Sequence, residues 1–141
     1  MAVTDWRELL SADDGYELSP GAAAGEIAAA ETALDTVFPA DLRQLYVLSN
    51  GVFDRAGQWH VIWPLAEVIA RNRQAWSQDG SPARRALTGF GDDGTGTPFC
   101  VPRDGGSGVS AWSPIDGKAT LLARSMAGFW SGWQAGTLPP H

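Results

Sequence analysis

The hydrophobic period changes at Gly51, and that change bounds the fold. Before it, apolar residues recur at helical spacing: Trp6, Leu9 and Leu10 in one segment, Leu42, Leu45 and Tyr46 in another. After it, Trp59-His60-Val61-Ile62-Trp63 alternates bulky aromatic and β-branched residues as a strand does. A chain that uses both periods in turn is mixed α and β.

The remaining punctuation fills in the order of elements. Thr4 is placed to cap the first helix, which Asp13-Asp14-Gly15 ends. Ser19-Pro20-Gly21 opens an alanine-rich helix running to Asp35, with a narrow stripe through Ile27, Ala30, Glu31 and Leu34. Phe38-Pro39 divides it from a helix over residues 40–49, so residues 20–50 read as a helical hairpin. Asn50-Gly51 reads as its end, with Gly51 at positive φ. Beyond Pro64, Leu65, Val68, Ile69 and Trp76 predict a further helix with Arg71 and Arg73 turned outward. Short strands are expected over 86–90, 98–101, 109–112 and 120–123, joined by glycine-rich turns into an antiparallel meander. Ser125 caps a last helix carrying Met126, Phe129, Trp130 and Trp133. The expected class is α+β: a short-stranded, mostly antiparallel sheet packed against helices, in a single domain over residues 1–141.

That length suits one core. With 44% apolar and only 18% charged residues, the chain has the material to bury one and is not intrinsically disordered. Acidic residues outnumber basic ones 16 to 10, a net charge of -6, which is the wrong sign for gripping a phosphate backbone; no nucleic-acid partner is expected. Cys100 is the sole cysteine, so no internal disulfide can form and a reducing compartment fits. The opening Met1-Ala2-Val3-Thr4-Asp5-Trp6 lacks a basic run before an apolar stretch, and no segment approaches the ~20 apolar residues of a membrane span. A cytoplasmic protein without a membrane partner is expected.

The chemical motifs lead away from catalysis. Gly89-Phe90-Gly91-Asp92-Asp93-Gly94 matches G-x-G-x-x-G, but Thr95-Gly96-Thr97-Pro98 cannot open the helix that should hold a pyrophosphate, and two aspartates would repel it. As a calcium loop the same stretch has Arg103 where the final glutamate belongs. His60 lies within the alternating strand and reads as a packing residue, and Cys100, between Phe99 and Val101, as a small buried hydrophobe. Ser107 lacks the glycine that a nucleophile elbow needs two residues later. The pairs Asp13-Asp14 and Asp92-Asp93 read as solvated turn carboxylates. No catalytic residue, metal site or cofactor is assigned, and the chain reads as a binding protein.

Seven tryptophans are many for one small domain to bury. Phe129, Trp130 and Trp133 read as core, as do Trp63 and Trp76. Phe53, Trp59 and Trp112 lie beside turns and are taken as partly exposed anchors for a partner. Asp92, Asp93 and Asp104 would supply an acidic recognition face around them.

Several strings carry a resemblance by their order and spacing: Glu26-Ile27 with Glu31; Phe38-Pro39-Ala40-Asp41-Leu42-Arg43 leading to Leu48-Ser49-Asn50-Gly51; Ile62-Trp63-Pro64-Leu65-Ala66-Glu67-Val68; Phe90-Gly91-Asp92-Asp93-Gly94-Thr95-Gly96; and the aromatic C-terminal helix. From about residue 4 to residue 135 the chain resembles the SUKH superfamily, the Smi/Knr type proteins, with Phe38-Pro39 in place of the usual Leu-Pro. The resemblance implies an α+β binding domain without a shared active site. It implies either an immunity protein that neutralises a cognate polymorphic toxin, often a nuclease, or a regulatory adaptor for an endogenous protein.

Overall fold

The computed structural model describes residues 4–141 and places six helices and one seven-stranded sheet among them. Of the opening Met1-Ala2-Val3-Thr4-Asp5-Trp6, Met1 to Val3 lie outside the described residues. In chain order the elements are α1 (Trp6–Ser11), β1 (Tyr16–Leu18), α2 (Ala24–Leu34), α3 (Ala40–Leu48), β2 (Val52–Asp54), β3 (Trp59–Ile62), α4 (Leu65–Gln78), α5 (Pro82–Arg85), β4 (Leu87–Asp92), β5 (Pro98–Pro102), β6 (Val109–Ser113), β7 (Lys118–Ala123) and α6 (Met126–Ala135). The strands lie in the sheet in sequence order, and each neighbouring pair is antiparallel. This is the α+β class expected. No described helix is long and apolar enough to cross a membrane.

Several local expectations are corrected. Asp5, not Thr4, caps α1, its carboxylate accepting from Glu8 N–H at 3.1 Å. The second helix begins at Ala24 rather than at Pro20, because residues 20–22 are not helical and bond instead to the last turn of α3 and to Asn50 just beyond it. There Ala22 N–H donates to the Tyr46 carbonyl and Asn50 N–H to that of Pro20, and a Cβ on Gly21 would collide with the Val47 carbonyl. The helix before Asn50-Gly51 already ends at Leu48, with Ser49 extended at φ -148°. Gly51 does take a positive φ of 102°, but at the junction into β2, where its backbone lies against Pro64 and Ile62. Asn50 serves a different helix, its Oδ1 accepting from Leu65 N–H at 2.9 Å at the start of α4.

One face of the sheet carries Val52, Phe90, Phe99, Val101, Val109 and Ala111 into the main core, against Trp6 and Leu10 of α1, Leu42 and Leu45 of α3 and Phe129 and Trp130 of α6. The Phe99 and Phe129 rings meet edge to face at 4.8 Å, a favoured aromatic geometry. The ends of the chain close over each other: Trp130 Nε1 donates to the Leu9 carbonyl at 3.3 Å. Ser125 caps α6 as expected, accepting from Gly128 N–H.

Helix α4 completes the sheet where a strand is missing. β3 pairs with β4 at Ile62–Gly91, then the chain turns at Pro64, so the first half of β4 pairs with β5 on one side and has no strand neighbour on the other. Asn72 of α4 accepts from Gly89 N–H at 2.7 Å and donates to the Gly89 carbonyl at 2.8 Å, doing with one amide what a paired strand would do. Trp76 Nε1 and Arg84 Nη1 both donate to the Leu87 carbonyl. Arg103 ties in the end of α2, donating to the Leu34 and Asp35 carbonyls while its guanidinium stacks on Trp76 at 3.8 Å.

Candidate functional site

Three strands and a helix place a mixed aromatic and charged row on one surface. Glu17 of β1 stands opposite Phe53 of β2, and Phe53 opposite His60 of β3, so these side chains share a face of the sheet. Val52, the neighbour of Phe53, points the other way into the core. The Phe53 and His60 rings meet edge-on at 5.1 Å. His60 Nδ1 lies 3.7 Å from Glu67 Oε2, and Glu67 holds Arg71 one turn further along α4 at 3.2 Å. Arg71 then reaches Asp92 at 3.9 Å and lies over the Trp63 ring at 4.7 Å.

An open pocket of about 280 Å³ lies among these groups, lined by Phe53, Trp59, His60, Glu67, Arg71 and Asp92. Trp59 is half-buried: its Nε1 donates to the Asp92 carbonyl at 3.2 Å and its ring meets Trp133 edge-on at 6.2 Å. Gly57 and Gly94 allow that position, since a Cβ at either would press into the indole. The structure therefore brings Phe53, Trp59 and Asp92 together.

The other expected residues stand elsewhere or do something else. Trp112 is corrected from a partly exposed anchor to a buried side chain, with only 4% of its surface exposed. It alternates with core-facing Ala111 along β6, so it points from the opposite face of the sheet and is buried there as well. Asp92 and Asp93 are corrected from solvated carboxylates to turn-building ones, each side chain 14% exposed. Asp92 accepts from Trp63 Nε1 at 2.8 Å and from Gly94 N–H at 2.7 Å. Asp93 accepts from Thr95 N–H and Oγ1 and from Thr97 N–H, with His141 Nε2 3.3 Å away. Desolvation pushes the Asp93 carboxyl up, but the bonds from Thr95, Thr97 and His141 outweigh it and hold it below the usual aspartate range. Asp104 is exposed but lines a separate groove of about 660 Å³ with Glu31, Arg43 and Arg103.

Glu17, Glu67 and Arg71 are the members of the row that the sequence reading did not assign to a site. Arg71 was legible only as an outward residue, and Glu17 lies in a strand too short to announce itself. His60, read as a packing residue, does pack on Phe53, but it also faces Glu67 in the open pocket. Cys100 is fully buried, and burial pushes its thiol up to about 11 despite the Arg84 charge, which makes it a poor nucleophile.

No curated protein matches the chain at a significant level. The family model described as SMI1 / KNR4 family (SUKH-1) matches residues 21–132, from the approach to α2 into α6. That span carries β2 to β7 and every residue of the row except Glu17. The chain belongs to the SMI1 / KNR4 family (SUKH-1).

Proposed function

We propose that the chain is a non-catalytic binding domain acting in the cytoplasm as an immunity protein, which neutralises a cognate toxin domain by covering it. The observation that carries this reading is the row Glu17–Phe53–His60–Glu67 with Trp59 beside it: an aromatic pair at a surface pocket, rimmed by carboxylates. Aromatic groups that desolvate on contact slow dissociation, while carboxylates around them steer a basic partner. The net charge of -6 supports a basic partner such as a nuclease toxin. Exposed Asp14 and Glu17, rather than the turn-bound Asp92 and Asp93, are the steering groups.

Binding kinetics against the toxin domain encoded beside this gene, at two salt concentrations, test the reading. Phe53→Ala should raise the dissociation rate roughly tenfold. Asp14→Asn with Glu17→Gln should lower the association rate and flatten its salt dependence. Unchanged kinetics in folded variants would move the interface off this row. Absence of binding to any neighbouring toxin would transfer the same surface to the alternative role, a regulatory adaptor for an endogenous protein.

A further inference from the structure

Arg84 of α5 is the one charged side chain among the described residues that is buried, with only 3% of its surface exposed. A guanidinium taken out of water needs an acid or a full set of acceptors, and Arg84 has neither. Its side chain makes one hydrogen bond, Nη1 donating to the Leu87 carbonyl at 2.8 Å, and forms no ion pair among the described residues. Trp76 Nε1 already serves that carbonyl at 3.1 Å, so the bond does not explain why a charge stands here. Asp79 is held low first by the bonds from Ser81 and least by Arg84, its carboxylate accepting from Ser81 N–H at 2.9 Å. The Cys100 thiol, pushed up to about 11 by burial, is neutral and offers no counter-charge.

Arg84 lies with buried Trp63 on the floor of a hollow of about 200 Å³. Helix α4 supplies one wall through Arg71, Gln74, Ala75 and Gln78, which fall at i, i+3, i+4 and i+7 and so share a face. Gln74 and Gln78 are exposed at its rim, and Pro98 closes it from β5. Among the described residues, Trp133 Nε1 alone is a fully sealed side-chain polar atom without a partner. Arg84 Nε and Nη2, which donate to no protein group, are therefore not sealed, and the hollow is where they open. Asp92 also borders it, but its carboxylate is bonded to Trp63 Nε1 and Gly94 N–H and faces Arg71 at 3.9 Å. Asp92 and Arg71 offset each other, which leaves the Arg84 charge in surplus.

We propose that this hollow binds the carboxylate of a small organic monoacid, gripped by the Arg84 guanidinium with the Gln74 and Gln78 amides at the mouth. A planar carboxylate matches the fork of a guanidinium and takes two parallel N–H bonds from it. One surplus positive charge suits a monoanion, and Asp92 beside it disfavours a doubly charged phosphate. The hollow is smaller than the roughly 300 to 1,000 Å³ of sites for drug-sized ligands, so the body of the acid is short and lies against Ala75 and Pro98. The site shares Arg71 and Asp92 with the pocket beside Phe53 and Trp59, but it does not depend on a toxin partner.

Benzoate is the probe, titrated into the isotope-labelled full chain and followed by NMR at the Arg84 Nε–H and the Gln74 and Gln78 side-chain amides. A saturable shift at these groups is expected, and benzamide, which has the same shape without the charge, should produce none. Arg84→Met should abolish the shift; Trp76 still serves the Leu87 carbonyl, so this variant should keep the parent's backbone amide spectrum. Arg84→Lys retains the charge but loses the fork, and should weaken benzoate roughly tenfold. Gln74→Glu, on the exposed rim, should weaken it by a similar factor through like charge, and decides the matter even if Arg84→Met fails to fold. No saturable shift up to about 50 mM benzoate overturns the proposal. So does benzamide or inorganic phosphate binding as tightly as benzoate, or benzoate binding that Gln74→Glu or Arg84→Met leaves unchanged.

Discussion

Asn72 grips Gly89 at both backbone groups, accepting from its N–H at 2.7 Å and donating to its carbonyl at 2.8 Å, with the same amide donating to Val68 of its own helix. All of this is buried. Asn72→Ala would leave the Gly89 N–H and carbonyl without partners on the side of β4 that β3 does not reach. A loss of about 2 to 4 kcal/mol is expected, measured by urea unfolding. Asn72→Asp should fare no better, because a carboxylate cannot donate to either carbonyl.

Gly51 holds φ at 102°, and a Cβ there would approach Pro64 N to 3.0 Å and the Ile62 carbonyl to 3.1 Å. Gly51→Val should therefore cost about 1 to 3 kcal/mol through strain in the turn that joins α3 to β2. A thermal midpoint equal to that of the parent would sink this account.

Asp93 anchors the β4–β5 turn by its charge. Its folded pKa is depressed, so its contribution is present above the ordinary aspartate pKa of ~3.9 and is lost as pH falls through the lower folded value. Asp93→Asn should be less stable than the parent by about 1 kcal/mol at neutral pH, with the gap closing in strong acid. Parallel pH titrations of the two unfolding midpoints check this.

Cys100 lies on the sheet with its thiol pushed up to about 11 by burial. A folded value above the unfolded one means its contribution is complete below ~8.5 and is lost as pH climbs towards the folded value. At pH 8 the thiol should react with a disulfide reagent only as fast as the chain unfolds, and denaturant should accelerate the reaction in step with global unfolding. Labelling at the rate of a free thiol in the native protein would contradict the burial.

The helices with long apolar periods were legible in the sequence: α4 through Leu65, Val68 and Ile69, and α6 through Met126, Phe129 and Trp130. β1 and β2 were not, because three residues such as Tyr16-Glu17-Leu18 are too few to display a period and form strands only by pairing, β1 with β2 and β2 with β3. The four-residue α5 escaped for the same reason. Phe53 and Trp59 could be singled out as aromatics beside turns, but their partners Glu17, Glu67 and Arg71 come from separate elements that only the fold brings together. Trp112 was misplaced because alternation shows which residues share a face, not whether the second face is covered. Asp92 and Asp93 were misjudged since an Asp-Asp-Gly string looks alike whether its carboxylates meet water or fold back on N–H groups.

Strand order that follows chain order has a consequence for how the molecule assembles. The β2–β3, β4–β5, β5–β6 and β6–β7 hairpins each close a loop of a few residues, so those pairings form at little entropic cost, whereas α2 and α3 separate β1 from β2 and α4 and α5 separate β3 from β4. The contact between Trp130 and Leu9 spans 121 residues and gains nothing until the intervening sheet exists. Weakening that clasp should leave the folding rate nearly unchanged and hasten unfolding, the pattern expected of a contact made late in folding.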